Sequence, residues 1–242
     1  MANKTLGIST IVLALASASG AAVAGDEVPK NTWVGDIEVA ALVTSGNSSQ
    51  TSFGIGGNAS YRTDASSHRF SAFSDFNKSS GIADRERYGF GYNFRLDFSA
   101  RTFFTVDGSY ESNKFGAFRE RFSVAGGIGY RVYDSARISW TIEGAPSILF
   151  TKDLEGADYH SDFSAFGRSN LVWQLTKTTK FTNTTSTYLG GQTVFENKAA
   201  FEFKIMQSLS SKVSYDILYN GDAPVDRKTT DTILRAGLNY GF

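Results

Sequence analysis

A two-residue alternation of apolar and polar side chains continues to the last residue of this chain. In the final stretch, 229–242, every second residue is apolar or aromatic, namely Leu234, Ala236, Leu238, Tyr240 and Phe242. Because successive strand residues point to opposite faces, this period predicts a β-strand that ends on an aromatic residue. Such an exposed edge promotes aggregation in a soluble protein, but it suits a strand that closes a barrel whose outer face meets lipid.

The same alternation recurs upstream. It is clearest in 87–97, where five large apolar residues alternate with Arg, Gly, Gly, Asn, Arg and Asp, a set that suits a tight polar barrel interior. The predicted strands are Trp33–Thr44, Ser52–Arg62, His68–Asn77, Arg87–Asp97, Thr102–Ser112, Arg121–Val132, Arg137–Phe150, Asp162–Leu175, Lys180–Leu189, Phe195–Ile205, Lys212–Asn220 and Thr229–Phe242. Pro146 is expected to mark a bulge in the seventh of them.

These strands predict an all-β fold, a transmembrane antiparallel up-and-down β-barrel of outer-membrane type with about twelve strands. Twelve satisfies the even count of single-chain bacterial barrels, and ten or fourteen are the alternative counts. Short predicted connections alternate with longer ones, including 78–85 and 190–194, so the short set is expected to be periplasmic and the longer set extracellular. A soluble β-sandwich is the competing interpretation.

The N-terminus is typical of an export signal. Lys4 precedes an apolar run, and the small residues Ala22-Val23-Ala24 follow it as a cleavage pattern, while the run is too short for a spanning helix. The expected organisation is a signal peptide at 1–24, a short periplasmic lead-in at 25–32 and the barrel at 33–242. A signal anchor is the alternative for the first segment.

Composition excludes several other classes. The 24 basic and 24 acidic residues cancel, so charge gives no reason to expect a nucleic-acid partner. Cysteine is absent, which excludes disulfides and thiolate metal sites. Glycine numbers 24 and proline only 3, while aromatic residues make up 14%, as expected for many closely paired strands.

The chain resembles the YdiY-like family, described as salt-induced outer-membrane proteins of Gram-negative bacteria and as a domain of unknown function. The resemblance covers 33–242 and rests on four motifs and the terminal strand; the motifs are Trp33-Val34-Gly35 with Thr44-Ser45-Gly46-Asn47, Gly127-Ile128-Gly129-Tyr130-Arg131, Trp173-Gln174-Leu175-Thr176 and Phe181-Thr182-Asn183-Thr184. It implies a link to salt and supplies no catalytic residues. The terminal strand also resembles the C-terminal signal of outer-membrane barrels, which implies recognition of Leu234, Ala236, Leu238, Tyr240 and Phe242 by the barrel-assembly machinery.

The inner face predicts a charged lumen. Its expected lining residues are Asp36, Glu38, Arg87, Arg95, Asp97, Glu111, Arg121, Arg131, Glu143, Arg168, Glu202, Asp216 and Arg235. Inward glycines, among them Gly54, Gly56, Gly89, Gly91, Gly127 and Gly129, are expected to leave space for water. Two hypotheses follow: a narrow pore for ions or small polar solutes linked to salt or osmotic response, and a closed structural or envelope-stress barrel whose lumen is filled by salt bridges. The oligomeric state stays open.

Catalytic, cofactor and metal sites are not expected. A lipid hydrolase is the third hypothesis, but His160 shares the parity of Asp162 and is predicted to face the lumen or loops, and the sequence around His68 lacks the required spacing. Asp153, Glu155, Asp158 and His160 could hold a hard cation, although a solvated acidic loop is the preferred interpretation. Gly54-Ile55-Gly56-Gly57 lies inside a strand with no helix after it, so it is not a nucleotide-binding loop.

Overall fold

The computed structural model describes residues 30–44, 50–154, 158–223 and 228–242. In these ranges the chain forms twelve β-strands: β1 (Trp33–Thr44), β2 (Gln50–Arg62), β3 (Ser66–Ser79), β4 (Ile82–Asp97), β5 (Thr102–Asn113), β6 (Glu120–Asp134), β7 (Ile138–Lys152), β8 (Tyr159–Gln174), β9 (Thr179–Gly190), β10 (Val194–Lys204), β11 (Leu209–Asn220) and β12 (Thr230–Gly241). The predicted signal peptide at 1–24 lies outside the described residues. No helix in the described ranges is long and apolar enough to cross a membrane.

Each strand pairs antiparallel with its sequence neighbours, and β1 pairs with β12 to close the barrel. The closing register places Ile37 opposite Tyr240 and Val39 opposite Leu238. Beyond the end of β12, the Phe242 N–H donates to the Gly35 carbonyl and the Gly35 N–H donates to the Phe242 carbonyl, both at 2.8 Å. The predicted fold class and the count of twelve are therefore confirmed, and the terminal strand leaves no open edge.

The alternation sorts side chains between the two faces of the wall as predicted. In β4, Tyr88 and Phe90 are about half exposed on the outer face, whereas Arg87 between β3 and β5 is 5% exposed on the inner face. Aromatic side chains of neighbouring strands pack in tilted pairs near both ends of the barrel, as in Trp33–Tyr61 and Tyr88–Tyr110, with ring centroids 5.3 and 6.2 Å apart. These belts are of the kind that lies at membrane interfaces.

The bulge predicted at Pro146 is wrong. The β6–β7 register is the same on both sides of this residue, since Ala125 pairs with Ser147 and Ile128 with Gly144. Pro146 lies on the outer face, where its missing N–H leaves the register intact. The register instead shifts in β6, between Arg131 and Tyr133, close to the turn that leads into β7.

The connections at the two ends of the barrel differ less in length than predicted. We call the end closed by 63–65, 98–101, 135–137, 175–178 and 205–208 the turn end, and the opposite end the loop end. The connection predicted at 78–85 is only the two-residue turn Ser80-Gly81, because β3 and β4 continue to Ser79 and from Ile82. Both turn residues have positive φ, 48° and 86°, as a type I′ hairpin requires. The β9–β10 connection is also short, at 191–193.

The lead-in contacts the turn end. Lys30 forms an isolated bridge with Arg62, and its Nζ lies 2.6 Å from Asp64 Oδ1. The hydrogen bond from Lys30 lowers the pKa of the Asp64 carboxyl below its ordinary value. Since both side chains are exposed, this contact guides the chain into β1 without adding much stability.

The outer face is polar over part of β9 and β10. Asn197 Nδ2 donates to Thr185 Oγ1 at 2.7 Å, and Asn183 Nδ2 donates to Asn197 Oδ1 at 3.3 Å. These mutual hydrogen bonds reduce the cost of placing amides on a face that is otherwise apolar. They also explain why β9 has a weak alternation in the sequence: polar residues occupy both of its faces.

Candidate functional site: the charged lumen

The inner faces of the strands enclose a cavity of about 510 Å³. All twelve strands contribute to its lining, from Arg121 and Val194 near the loop end to Asp36, Asn93 and Thr182 near the turn end. The cavity therefore follows most of the barrel length. Its small lining residues, including Gly56, Ser71 and Ser109, leave the space that larger side chains would fill.

Most of the predicted lumen residues reach this cavity. Those that line it are Asp36, Glu38, Arg87, Arg95, Glu111, Arg121, Glu143, Arg168, Asp216 and Arg235. Asp97, Arg131 and Glu202 also lie on inner faces, nearer the turn end. The inward parity that places them follows directly from the two-residue period.

A first charged cluster joins four strands near the middle of one wall. Glu143 accepts from Arg95 Nη2 at 3.2 Å and from Arg168 Nη1 at 3.3 Å. Arg168 Nη1 also donates to Asp107 Oδ1 at 2.5 Å. The Glu143 side chain is only 3% exposed, so two arginines neutralise a carboxylate that has almost no contact with water.

A second cluster surrounds Arg235 on β12. Its Nη2 donates to Asp75 Oδ2 at 2.6 Å and its Nε donates to Asp75 Oδ1 at 3.1 Å, a bidentate pair that spans from β12 to β3. Its Nη1 donates to Asp216 on the adjacent β11. One guanidinium thus holds two buried carboxylates, and the polar face of the terminal strand belongs to the lumen network.

A third cluster surrounds Phe73 at mid-height. Arg87 forms a bidentate pair with Glu111, at 2.6 and 3.2 Å, and its guanidinium carbon lies 4.6 Å from the centre of the Phe73 ring. Lys198 on β10 places its Nζ 5.9 Å from the same ring centre. The Phe73 ring lies against Gly89 of the adjacent strand β4. Four strands separate β3 from β10 around the wall, so the Lys198 side chain extends across the lumen towards this ring, and the two side chains together narrow the lumen.

Other ion pairs connect nearby strands, except Lys198–Glu196, which lies within β10. They are Lys212–Glu38 at 2.6 Å, Lys180–Glu202 at 2.8 Å, Arg131–Asp97 at 2.5 Å and Lys198–Glu196 at 3.6 Å. Asp36 has no such pair in the described residues, but it accepts from Asn58 Nδ2 at 3.3 Å. The prediction that many lumen charges pair is consistent with this geometry, because an isolated buried charge is costly.

Aromatic and aliphatic side chains also enter the lumen, which the sequence interpretation largely missed. Phe103 is fully buried near the turn end, where the Arg95 and Arg131 guanidinium carbons lie 3.8 and 5.2 Å from its ring centre. Phe166 and Tyr188 pack as a tilted pair on the inner wall of β8 and β9, with ring centroids 5.0 Å apart. The barrel interior is thus partly filled by aromatic rings that pack against the charged side chains.

Two inward glycines hold these rings instead of leaving space for water. A Cβ at Gly129 would lie 2.1 Å from Phe103 ring carbons, and one at Gly89 would lie 2.5 Å from the Phe73 ring. Each glycine is the direct cross-strand partner of the ring it admits. The expectation of free space is therefore wrong at both positions, although Gly56 lines the cavity and a Cβ there would meet its neighbours only at ordinary contact distance.

Near the loop end, Gln192 closes part of the mouth. Its Oε1 accepts from Arg121 Nη2 at 3.3 Å and from Thr151 Oγ1 at 3.1 Å, while its Nε2 lies 2.8 Å from His160 Nε2. Phe118, from the β5–β6 connection, is buried under the Arg121 guanidinium at 3.8 Å. The mouth is constrained by a hydrogen-bonded side chain and one aromatic ring.

The two histidines lie at opposite ends of the barrel. His68 is at the turn end, where its Nδ1 lies 2.9 Å from the Tyr92 hydroxyl, and His160 is at the loop end, on the inner side. They cannot act in one catalytic site. Of the four residues considered for a hard cation, Glu155 lies outside the described residues, and no group of three potential ligands forms within the described ranges.

The sequence is similar to those of known proteins. A sequence model of the family described as "Protein of unknown function, DUF481" covers residues 37–242. The chain is 23% identical over 151 residues to the protein named "Uncharacterized protein YdiY" of Escherichia coli K12. That match covers 60% of each chain, so it spans less than two thirds of the relative's length.

Solved outer-membrane channels have the same fold. The NanC porin is similar with a TM-score of 0.52 and 11% identity, covering 86% of this chain and 98% of its own. The COG4313 outer-membrane channel of Pseudomonas putida F1 is similar with a TM-score of 0.51 and 9% identity, covering 90% and 97%. At such identities the likeness establishes a porin-like outer-membrane barrel fold and leaves the solute undetermined.

Proposed function

Because the chain belongs to the DUF481 family, whose description names no activity, we propose its function from the lumen: a narrow outer-membrane pore for ions or small polar solutes. The observation that carries this proposal is the cavity that follows the barrel axis and is lined by all twelve strands. Its lining is rich in charged, hydroxyl and amide side chains, which replace part of the hydration of a small polar solute. The apolar outer face supports a location in lipid.

The size of the path supports a narrow pore over a wide one. Barrels of about eight strands are filled by side chains, whereas sixteen or more leave a wide aqueous channel. In this twelve-stranded barrel, Phe73 and Phe103 fill part of the lumen and the cavity remains beside them. Such a lumen suits passage of ions and solutes of a few heavy atoms.

The direct test is planar-bilayer recording of the refolded full chain. We expect small single-channel steps above the lipid baseline. The folding of the protein is checked by its β-sheet circular dichroism. If the fully folded protein shows no current steps, the pore is contradicted. Growth of a deletion strain at high and low NaCl separately tests the salt response that the family resemblance implies.

Shortening Phe73 is expected to widen the path. In Phe73→Ala the ring that lies against Gly89 and faces the Lys198 ammonium is removed from the lumen, so single-channel conductance should rise severalfold. Phe76→Ala is the control, because Phe76 lies on the same strand but faces outwards, 39% exposed. Equal conductance of the Phe73 variant and the wild type would show that the narrowest point lies elsewhere.

A closed structural barrel is the second candidate function, and a specific observation favours it. Ion pairs link strands that are not neighbours, including Arg235 with Asp75 and Arg168 with Asp107, so they brace the wall across the lumen. If the barrel is closed in this way, neither the wild type nor Phe73→Ala should give current steps in planar bilayers. Conduction by either protein contradicts it.

A further inference from the structure

Among the arginines of the described lumen, Arg69 differs in making no hydrogen bond or ion pair. It lies on the inner face of β3, contributes to the cavity lining and is exposed to the lumen. Within 30–44, 50–154, 158–223 and 228–242, no hydrogen bond or ion pair involves its guanidinium. Asp36, Glu143 and Asp107 attract it from a distance and Arg168 repels it. Five N–H donors therefore remain available in the water of the cavity.

The carboxylates of the cavity are placed differently. Asp75, Asp107, Glu143 and Asp216 are all less than 9% exposed and each is bound by an arginine. The other acidic residues that line the described cavity, Asp36, Glu38, Glu111 and Glu196, are at most partly exposed. Glu38, Glu111 and Glu196 are in ion pairs, and Asp36, which has none in the described residues, accepts a hydrogen bond from Asn58. The exposed charged side chains in the lining are Arg69 and Lys198, both cations.

A solute in the lumen therefore meets a positive surface even though the formal charges of the chain cancel. The paired charges act as local dipoles whose fields fall off quickly, whereas an unpaired guanidinium acts as a full charge. The surrounding wall excludes much of the water and salt that screens charges at an open surface. Guanidinium also offers parallel N–H donors that match two oxygens of one carboxylate or phosphate.

We propose that Arg69 is an anion-binding site in the lumen and that the pore passes small anions in preference to cations. The solutes it fits are inorganic anions and small molecules that carry a carboxylate or phosphate group. This inference rests on the proposed pore function and specifies its solute class. Lys198, paired with Glu196 only at 3.6 Å, adds a second accessible cation nearer the loop end.

The test is the reversal potential of the conducting protein in a KCl gradient. The wild type should give the sign of an anion-selective pore. In Arg69→Gln the chloride-to-potassium permeability ratio should fall by at least about fivefold, the factor by which chloride alone is affected when one unit charge about 4 Å from the ion in water is removed. Arg69→Glu should reverse the preference, and Arg69→Lys should retain it. Because Arg69 makes no described hydrogen bond, these variants should fold normally.

Arg137→Gln is the matched control, since it removes the same charge from an exposed position in the 135–137 turn outside the cavity. Its permeability ratio should equal that of the wild type. A cation-selective wild type, or a ratio that Arg69→Gln leaves unchanged, contradicts the assignment while leaving the pore itself intact. Absence of conductance in every variant contradicts the pore instead, so the two failures are distinguishable.

Binding can also be measured without conduction. Inorganic phosphate should raise the thermal unfolding temperature of the wild type in detergent, because a ligand that binds only the folded state stabilises it. Arg137→Gln should respond in the same way, and Arg69→Gln should lose the response. An equal phosphate effect on all three proteins would overturn Arg69 as the binding group.

Discussion

Replacing Glu143 with Gln is expected to destabilise the barrel by about 3–5 kcal/mol, the usual cost of removing one partner from a buried ion pair. Glu143 is the carboxylate that Arg95 binds, at 3.2 Å, and it also binds Arg168. Arg168 keeps Asp107 in the variant, but Arg95 then faces an amide and, within the described residues, keeps its contact with the Phe103 ring but no ion pair. Arg95 Nε is already buried without a hydrogen-bond partner, so the remaining guanidinium would be poorly compensated.

Equilibrium unfolding by urea in lipid vesicles, followed by the fluorescence of the three tryptophans, measures this loss. Glu86→Gln is the control, because Glu86 pairs with Lys114 at 3.0 Å on an exposed surface, where a pair contributes about 0–1 kcal/mol. A midpoint shift of the same size in both variants would mean that the lumen is well hydrated around Glu143. The cluster would then not act as a structural brace.

Gly129→Ala is expected to cost about 1–3 kcal/mol, because it forces extra volume into a packed site. The new Cβ would lie 2.1 Å from the Phe103 ring, and this ring is fully buried beneath Arg95 and Arg131. The ring cannot move aside without disturbing both guanidinium contacts. The damage should therefore be local to the turn end of the lumen.

Gly126→Ala provides the control on the same strand, since its Cβ would meet nothing within 4 Å. It should be neutral or slightly stabilising, because alanine restricts the unfolded chain more than glycine does. Combining Gly129→Ala with Phe103→Leu should recover part of the loss, which a double-mutant cycle in the same urea assay measures. Independent, additive effects would contradict the proposed contact between ring and glycine.

Much of the lumen could be predicted because the strand period is local. The inward position of Arg87, Arg95 and Glu143 follows from alternation within single strands, without any knowledge of their neighbours. The rings at Phe73 and Phe103 were missed as space-filling groups because each was considered within its own strand. A signal was available, since each lies opposite a glycine once adjacent strands are aligned, a combination in which the ring can cover the glycine.

The errors also have local causes. Proline suggested a bulge at position 146, but an outward-facing proline can leave the register unchanged while a bulge forms elsewhere, near Arg131. The connection at 78–85 was predicted to be long because the predicted strands ended at Asn77 and resumed at Arg87. Ser80 and Gly81 adopt positive φ there, so the two strands extend until only a tight turn remains.

The sequence by itself determined the strands, their inner and outer faces and the closing role of 229–242, because a two-residue period requires only neighbours along the chain. It also determined that both acidic and basic side chains line the lumen. Only the tertiary structure decided which of them pair, since Arg95 and Glu143 lie on β4 and β7 and meet only when the wall closes. The same closure leaves Arg69 exposed and unpaired in the described lumen. The proposed anion preference depends on this difference between paired and unpaired charges.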